Sequence, residues 1–496
     1  MRLLHVLTLA IVLAGLWTLA QRARFRPSVV LITVDTLRPD RLGSYGHPNN
    51  HTPAIDRLAR EGTLFETAYC DMPWTTGSMS SVMTGTYSPT HGVQLPIHRL
   101  GPEATTLAEI LAAHGYQTGA VIGSFPLDSV YGLDRGFQTY DDEFTLPIFA
   151  VPDKRVEHVE SQLPEDAREQ AAFVESKLKN DAYRPDDEVT DAALRWFEKV
   201  RNRRRFFLWV HYFGPHEKLI AAGGIPQQEP RIIADYDPDV EINDRAVGRL
   251  LDRMRSLGLL DRSLVILHAD HGQSLGEHDY VGHGVDIYDV SVRIPLIIRY
   301  PRAFPPHARR TDMAANVDLL PTILRVTGID VPGRWVGRSL LAADHPTNGG
   351  EAPSAYFETY VSTFVSLVTQ VDSLGNVLAP VAMRGMRTAE WKFIGRRVVG
   401  PCSRGEEYNR DGFGRFHLVD PVAMDEAKCR EIKRTELYAV GDPEELPFNL
   451  AANETEVAAR LEAIVAAVAE SGRSLQHEFA LTPEQERKLR SLGYLQ

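Results

Sequence analysis

The segment SVVLITVD, from Ser28 to Asp35, is a short, continuously apolar run that ends on a carboxylate. A run of this length suits one strand buried on both faces, as in the middle of a parallel sheet. A carboxylate at the end of such a strand is costly unless it is paired or bound to metal. The same design returns in SLVILHAD from Ser263, which ends in Asp270 and is followed by His271, and in FFLWVHYF from Phe206, which carries His211 and leads to His216. GAVIGSF, near Ala120, is a further strand of this kind. Between these runs lie amphipathic stretches. PAIDRLAREG, Pro53 to Gly62, has Ile55, Leu58 and Ala59 at helical spacing and a closing glycine; EINDRAVGRLLDRMRSLG from Glu241 and VDLLPTILRVTG from Val317 are also helical. The alternation implies α/β architecture with a largely parallel sheet. Ligands bind at the carboxyl ends of strands in such sheets, so Asp35, the His211 to His216 segment, Asp270 and His271 are expected to converge there.

The 496 residues allow a large core and more than one unit. The chain divides into a leader over 1–26, a main domain over 27–345 and a smaller domain over 346–496. The last boundary rests on the turn-rich DHPTNGGEAPS, and the strand-like MRGMRTAEWKFI, RFHLVD and ELYAV follow it. A charged helical insertion at about 150–187 reads equally as a lid or as a solvated helix pair. Thr482 and Gln485 form a capping box, with Pro483 at the first helical position, that predicts a C-terminal helix. Leu3 to Ala20 carries no formal charge and is followed by Arg22, Arg24 and Arg26. It reads as an export signal or an uncleaved membrane anchor, which places the main domain outside the cytoplasm or at the outer face of a membrane. With 66 acidic against 54 basic residues, the net charge of −12 argues against a nucleic-acid partner. Three cysteines make no disulfide framework; Cys402 and Cys429 could close one late loop, and Cys70 reads as a buried small hydrophobe.

PWTTGSMSSVMTGTYSPTHG, from Pro73 to Gly92, resembles the nucleophile element of the sulfatase and alkaline-phosphatase superfamily. Sulfatases read C-x-P-S-R-x-x-L-x-T-G there, and aligning Thr84-Gly85 puts Thr75 at the Cys, Gly77 at the Pro and Met79 at the Arg. The resemblance extends through VDTLRPDRLGSYG, HTPAIDRLAREGTLFETAY, HYFGPHE and HADHGQSLGEHDYVGHG, in family order. It implies a central mixed, mostly parallel sheet flanked by helices, with a smaller C-terminal α+β domain built on an antiparallel sheet.

By the same resemblance Asp35, Asp270, His271 and Thr75 hold a divalent metal ion, Mn, Mg, Ca or Zn. Thr75 is the nucleophile, His283 protonates the leaving group and His216 contacts the bound anion. A sulfatase oxidises its cysteine to formylglycine, and a threonine cannot become an aldehyde. Thr75 therefore implies direct alkoxide attack, which first suggests a hydrolase or transferase acting on a phosphoester or phosphonate, in a small molecule, glycan or lipid. The alternatives are a sulfuric ester hydrolase working without formylglycine and a non-catalytic anion- or glycan-binding protein. Thr36 stands where sulfatases carry a second Asp; Asp40 could compensate or could serve a turn. Gly214 replaces the Asp of a D-P-H motif, and GAVIGSF replaces a lysine- and histidine-bearing one. Thr76 is the nucleophile if the register shifts by one, and Ser78 is the plainest helix cap. His211, His268 and His278 read as supporting residues.

Overall fold

A computed structural model of the chain describes residues 26–96, 98–145, 182–200, 205–216, 229–279, 281–331, 333, 335–344, 354–360, 381–398, 405–410, 416–422, 435–444, 446–472, 477, 478 and 485. The apolar leader, the insertion as far as residue 181, the Cys402 and Cys429 pairing and the C-terminal helix after Gln485 lie outside these residues. Among the described residues no helix is long and apolar enough to cross a membrane.

The four apolar runs are strands at the centre of the main sheet. They are β1 (Ser28–Val34), β3 (Gln117–Ile122), β5 (Phe206–Tyr212) and β6 (Ser263–Ala269). With β2 (Thr63–Tyr69), β4 (Thr139–Asp141), β7 (Arg293–Arg299) and β8 (Ala308–Arg310) they lie in the order β8-β2-β7-β6-β1-β5-β3-β4, and Ala314–Ala315 adds a short strand to β2. Only β7 runs antiparallel to its neighbours, β2 and β6; the other pairings are parallel. All seven residues of β1 are buried, which is why the run needs no polar alternation.

Helices cover both faces: α1 (Pro53–Glu61), α2 (Thr75–Thr84), α3 (Leu107–Ala113), α4 (Asp186–Val200), α5 (Glu229–Ser256) and α6 (Leu319–Thr327). The fifth begins well before Glu241. Pro238 inside it disguised its early turns, because a proline removes a helix hydrogen bond. Tertiary contact offsets that loss at Tyr236, whose buried hydroxyl donates to the Thr36 carbonyl at 2.7 Å and accepts from the Arg38 N–H at 3.0 Å.

A second, antiparallel sheet has the order β9 (Ala355–Thr359), β10 (Val381–Arg387), β11 (Trp391–Val398) and β12 (Thr435–Ala439). The helix α7 (Thr455–Ser471) packs Ala458, Leu461 and Val465 against Tyr356, Met386, Phe393 and Leu437 of this sheet. A separate hairpin pairs Gly405–Arg410 with Phe416–Val422.

The two sheets meet at Lys392, whose ammonium is fully buried, 2.9 Å from Asp289 and 3.8 Å from Glu444, and lies over the Phe357 ring at 4.2 Å. Lys392→Met leaves two partly buried carboxylates with Arg387 as the nearby cation. Breaking a buried pair in this way is expected to remove ~3 kcal/mol, read as a lower midpoint in urea unfolding.

Candidate active site

Strands β1 and β6 are neighbours with Val34 opposite Ala269, so the chain leaving each strand sets Asp35 beside Asp270. Both carboxylates and His271 are fully buried. Asp270 Oδ1 accepts from the backbone N–H of His271 at 2.8 Å and of Thr36 at 3.2 Å. Burial pushes the Asp270 carboxyl up, and His211 together with these donors opposes that rise. Thr36 adopts a left-handed φ of 56°, costly for a β-branched residue; the Tyr236 hydroxyl on its carbonyl helps hold it there.

The His271 ring donates from Nδ1 to the Gly272 carbonyl at 2.8 Å, which leaves the Nε2 lone pair facing inward. That atom lies 3.6 Å from Asp35 Oδ1, 3.5 Å from Asp270 Oδ2 and 3.2 Å from Thr75 Oγ1. Burial pushes His271 down to about 4, so the ring is neutral at physiological pH. Two carboxylates and an imidazole lone pair therefore face one another, each offering an atom within 4.8 Å of the others. Like-signed electron pairs held this close out of water fit a divalent cation between them.

Thr75 is the first residue of α2 and is fully buried; the extended Trp74 precedes it and makes no side-chain cap. The N–H groups of this first turn have no partner within the helix. Thr76 turns away, its hydroxyl donating to the Pro126 carbonyl at 2.6 Å, so the register that makes Thr75 the inward hydroxyl stands. Ser78 caps nothing. It lies inside the helix, and its Oγ donates to the main-chain carbonyl of Asp270 at 2.6 Å, because the fully buried helix runs close against the end of β6.

His283 reaches the cluster, its ring 4.5 Å from that of His271. Its Nε2 lies 3.1 Å from His216 Nε2, so the pair shares one proton between two nitrogens. Burial, then the neighbouring His271, holds His283 well below the usual imidazole range. His216 stacks on Phe213 with ring centroids 4.5 Å apart.

His211 supports the centre more closely than its strand position suggested. Thr33 Oγ1 accepts from Trp209 Nε1 at 3.0 Å and lies 2.7 Å from His211 Nδ1, so its own proton can go to that nitrogen. Nε2 then carries the ring proton, 3.7 Å from Asp35 Oδ2 and 3.4 Å from Ser124 Oγ. Ser124 was not foreseen; it belongs to GAVIGSF, where the family keeps larger groups. His268 points its Nδ1 at the Ala269 carbonyl, 2.6 Å away, and His278 stacks on Tyr288; neither joins the cluster. Asp40 pairs with Arg38 at 2.9 Å and serves its turn, not the cluster.

The departures from the family pattern have steric causes. A Cβ on Gly77 would lie 2.6 Å from Met72 Sδ and 2.9 Å from the Trp74 ring, so a proline does not fit there. Met79, at the arginine position, is fully buried. Gly214 has a φ of 52°, and a Cβ there would meet Val34 Cγ1 at 2.8 Å.

Comparison with known proteins bears directly on this geometry. The family model described as Sulfatase matches residues 27–329. The chain belongs to the sulfatase family. Sulfatase relatives include the ulvan-active sulfatase of Formosa agariphila, 28% identical over 337 residues, which cover 64% of this chain and 64% of that protein. The N-acetylglucosamine-6-O-sulfatase of Bacteroides thetaiotaomicron is 24% identical over 417 residues, covering 68% of this chain and 74% of that one. The chain thus spans just under two-thirds of the ulvan-active enzyme's length. The solved phosphonate monoester hydrolase of Agrobacterium radiobacter shares the fold at a TM-score of 0.59 and 17% identity, covering 92% of this chain and 99% of that one. A structure solved in complex with D-glucosamine-2-N,6-O-disulfate matches at a TM-score of 0.62 and 18% identity, covering 90% and 98%.

Restoring the sulfatase-like aspartate by Gly214→Asp is expected to damage this member of the family. The left-handed backbone and the Val34 contact together should cost roughly 1–3 kcal/mol, seen as a lower melting temperature.

Proposed function

We propose that the chain is a metal-dependent hydrolase of sulfate esters carried on a glycan, with Thr75 acting directly in place of a formylglycine. One observation carries the reading: the buried Thr75 hydroxyl lies 3.2 Å from His271 Nε2, at the mouth of a helix and within the Asp35, Asp270 and His271 cluster. The relatives that act on sulfated glycans supply the substrate class, as the names of the ulvan-active and N-acetylglucosamine-6-O-sulfatases indicate. They reverse the order of ester classes expected from Thr75 alone.

A divalent ion held by Asp35, Asp270 and His271, with Thr75 beside them, supplies positive charge that favours an alkoxide and an oxyanion; two carboxylates with an imidazole suit Mn or Zn better than Ca or Mg. The chain's own residues do the rest. Thr75 Oγ gives its proton to the neutral His283 and His216 pair and attacks the sulfur, a bond forming from Oγ to sulfur as the bond from sulfur to the ester oxygen breaks. The helix N–H groups at the start of α2 receive the oxyanion. The His283 and His216 pair is placed to donate a proton to the departing oxygen, and His216 orients the bound group. Water then attacks the sulfur, the bond from sulfur to Thr75 Oγ breaks, and the proton the water releases passes through the same pair to Thr75 Oγ, which restores the hydroxyl.

A phosphoester or phosphonate is the second reading. It is favoured by a hydroxyl nucleophile that needs no oxidation and by the fold shared with the phosphonate monoester hydrolase.

The test compares hydrolysis of an aryl sulfate and an aryl phosphodiester by the purified protein, with Mn, Zn, Mg or Ca supplied. Sulfate turnover that falls on the order of 10³-fold or more in Thr75→Ala, and that chelation abolishes, is the expected result. Preferential phosphodiester turnover selects the second reading. No turnover of either ester, with no bound metal by elemental analysis, would leave the protein a binding module. Asp35→Asn is expected to lose metal and activity together while keeping the fold by circular dichroism.

A further inference from the structure

Beneath the nucleophile helix lies a polar network that the reaction as described does not use, and its protons can be followed one by one. The Val93 N–H donates to His91 Nδ1 at 3.1 Å, so the ring carries its proton on Nε2, 2.9 Å from Ser81 Oγ. Ser81 accepts that proton's hydrogen bond and sends its own hydrogen to Asp71 Oδ2 at 2.6 Å. The other oxygen, Asp71 Oδ1, accepts from Asn316 Nδ2 at 2.8 Å, which fixes the nitrogen end of that amide. The second amide hydrogen of Asn316 goes to Ser78, with Oγ at 3.1 Å and the carbonyl oxygen at 3.4 Å. Ser78 then has one hydrogen of its own, and it reaches the main-chain carbonyl of Asp270 at 2.6 Å. All five side chains are buried. The far end of the chain is anchored in the second sheet, where the Glu358 N–H donates to the Asp71 carbonyl at 2.9 Å.

We propose that Asn316 and Ser78 are positioning residues for the metal centre, acting through the Asp270 peptide; the idea rests on the reading of Asp35, Asp270 and His271 as metal ligands. Asp270 follows directly on the last residue of β6, so the direction of its carbonyl governs where its carboxylate points. The hydroxyl that grips this carbonyl sits three residues after Thr75 on the same helix. One hydrogen bond thereby fixes the distance between the nucleophile and a ligand that lies far from it in sequence. Asn316 keeps that hydroxyl from turning back toward its own helix, because it presents Ser78 with a donor and leaves the serine only an acceptor to seek. Asp71 in turn holds the amide in the one orientation that does this.

The experiment measures Mn²⁺ affinity calorimetrically on the full chain freed of metal, for wild type, Ser78→Ala, Asn316→Ala, the double variant and Ser80→Ala. Ser80 is the internal control: it lies on the same helix and its hydroxyl donates to the Thr76 carbonyl at 2.7 Å, within the helix. Circular dichroism and melting of the metal-free proteins run alongside. Ser78→Ala and Asn316→Ala are each expected to weaken Mn²⁺ binding about 10-fold or more, as loss of a ligand's supporting hydrogen bond commonly does. The double variant is expected to be little worse than either single one, because both lie on one path. Ser80→Ala should stay within about twofold of wild type, the size of effect expected where a bond is remote from the ligands. Should Asn316→Ala not fold, Ser78→Ala against Ser80→Ala decides alone. Wild-type affinity in Ser78→Ala, or an equal loss in Ser80→Ala, overturns the proposal while leaving the metal reading intact. A wild-type chain that takes up no divalent ion overturns both.

Discussion

Two carboxylates buried side by side at the ends of adjacent parallel strands are the constraint on which the rest depends. Their proximity follows from the register of β1 and β6, in which Val34 faces Ala269, and any slip would separate them. Water does not solvate them, so the protein must manage their charge by other means. Backbone N–H groups take one oxygen of Asp270, the His211 ring faces Asp35, and one atom each of Asp35, Asp270 and His271 lies close enough to the others for a cation to sit among them. The unusual backbone at Thr36 lies in the same arrangement, and its N–H donates to Asp270.

The site departs from the common sulfatase pattern as a set. Where the pattern has proline and arginine on the nucleophile helix, this chain packs Met72 and Trp74 against Gly77 and buries Met79. Where it has an aspartate before the substrate histidine, Gly214 lets the chain pass close to Val34. The changes at Met79 and Gly214 each remove a charged group, and apolar atoms lie there instead. In the proposed reaction a bound anion is thus left to the cation, the start of α2 and two histidines, a leaner set of positive and hydrogen-bonding groups.

Much of this was legible in the sequence because burial leaves a clear signature. Continuous apolar runs marked three of the central strands to within a residue, and the polar residues at their ends marked where chemistry gathers. Thr75, Asp35, Asp270, His271, His216 and His283 do come together. What stayed hidden depends on three-dimensional neighbours and not on pattern. Ser78 looks like a cap by residue type, and only the approach of β6 turns its hydroxyl to a strand end. The start of α5 was obscured by Pro238, and the packing of Tyr236 against the turn after β1 overrides that local signal. His211 was placed by its strand, but its hold on Asp35 needed the side-by-side register with Thr33.

The hydrogen bond between Thr75 and His271 spans 196 positions of chain. Such distant partners cannot meet until the strands between them have paired, and folds rich in long-range pairing form slowly. A nascent chain that has just emerged beyond His216 already carries Thr75 and Asp35 but neither Asp270 nor His271. The cluster therefore cannot close before β6 has joined the sheet beside β1.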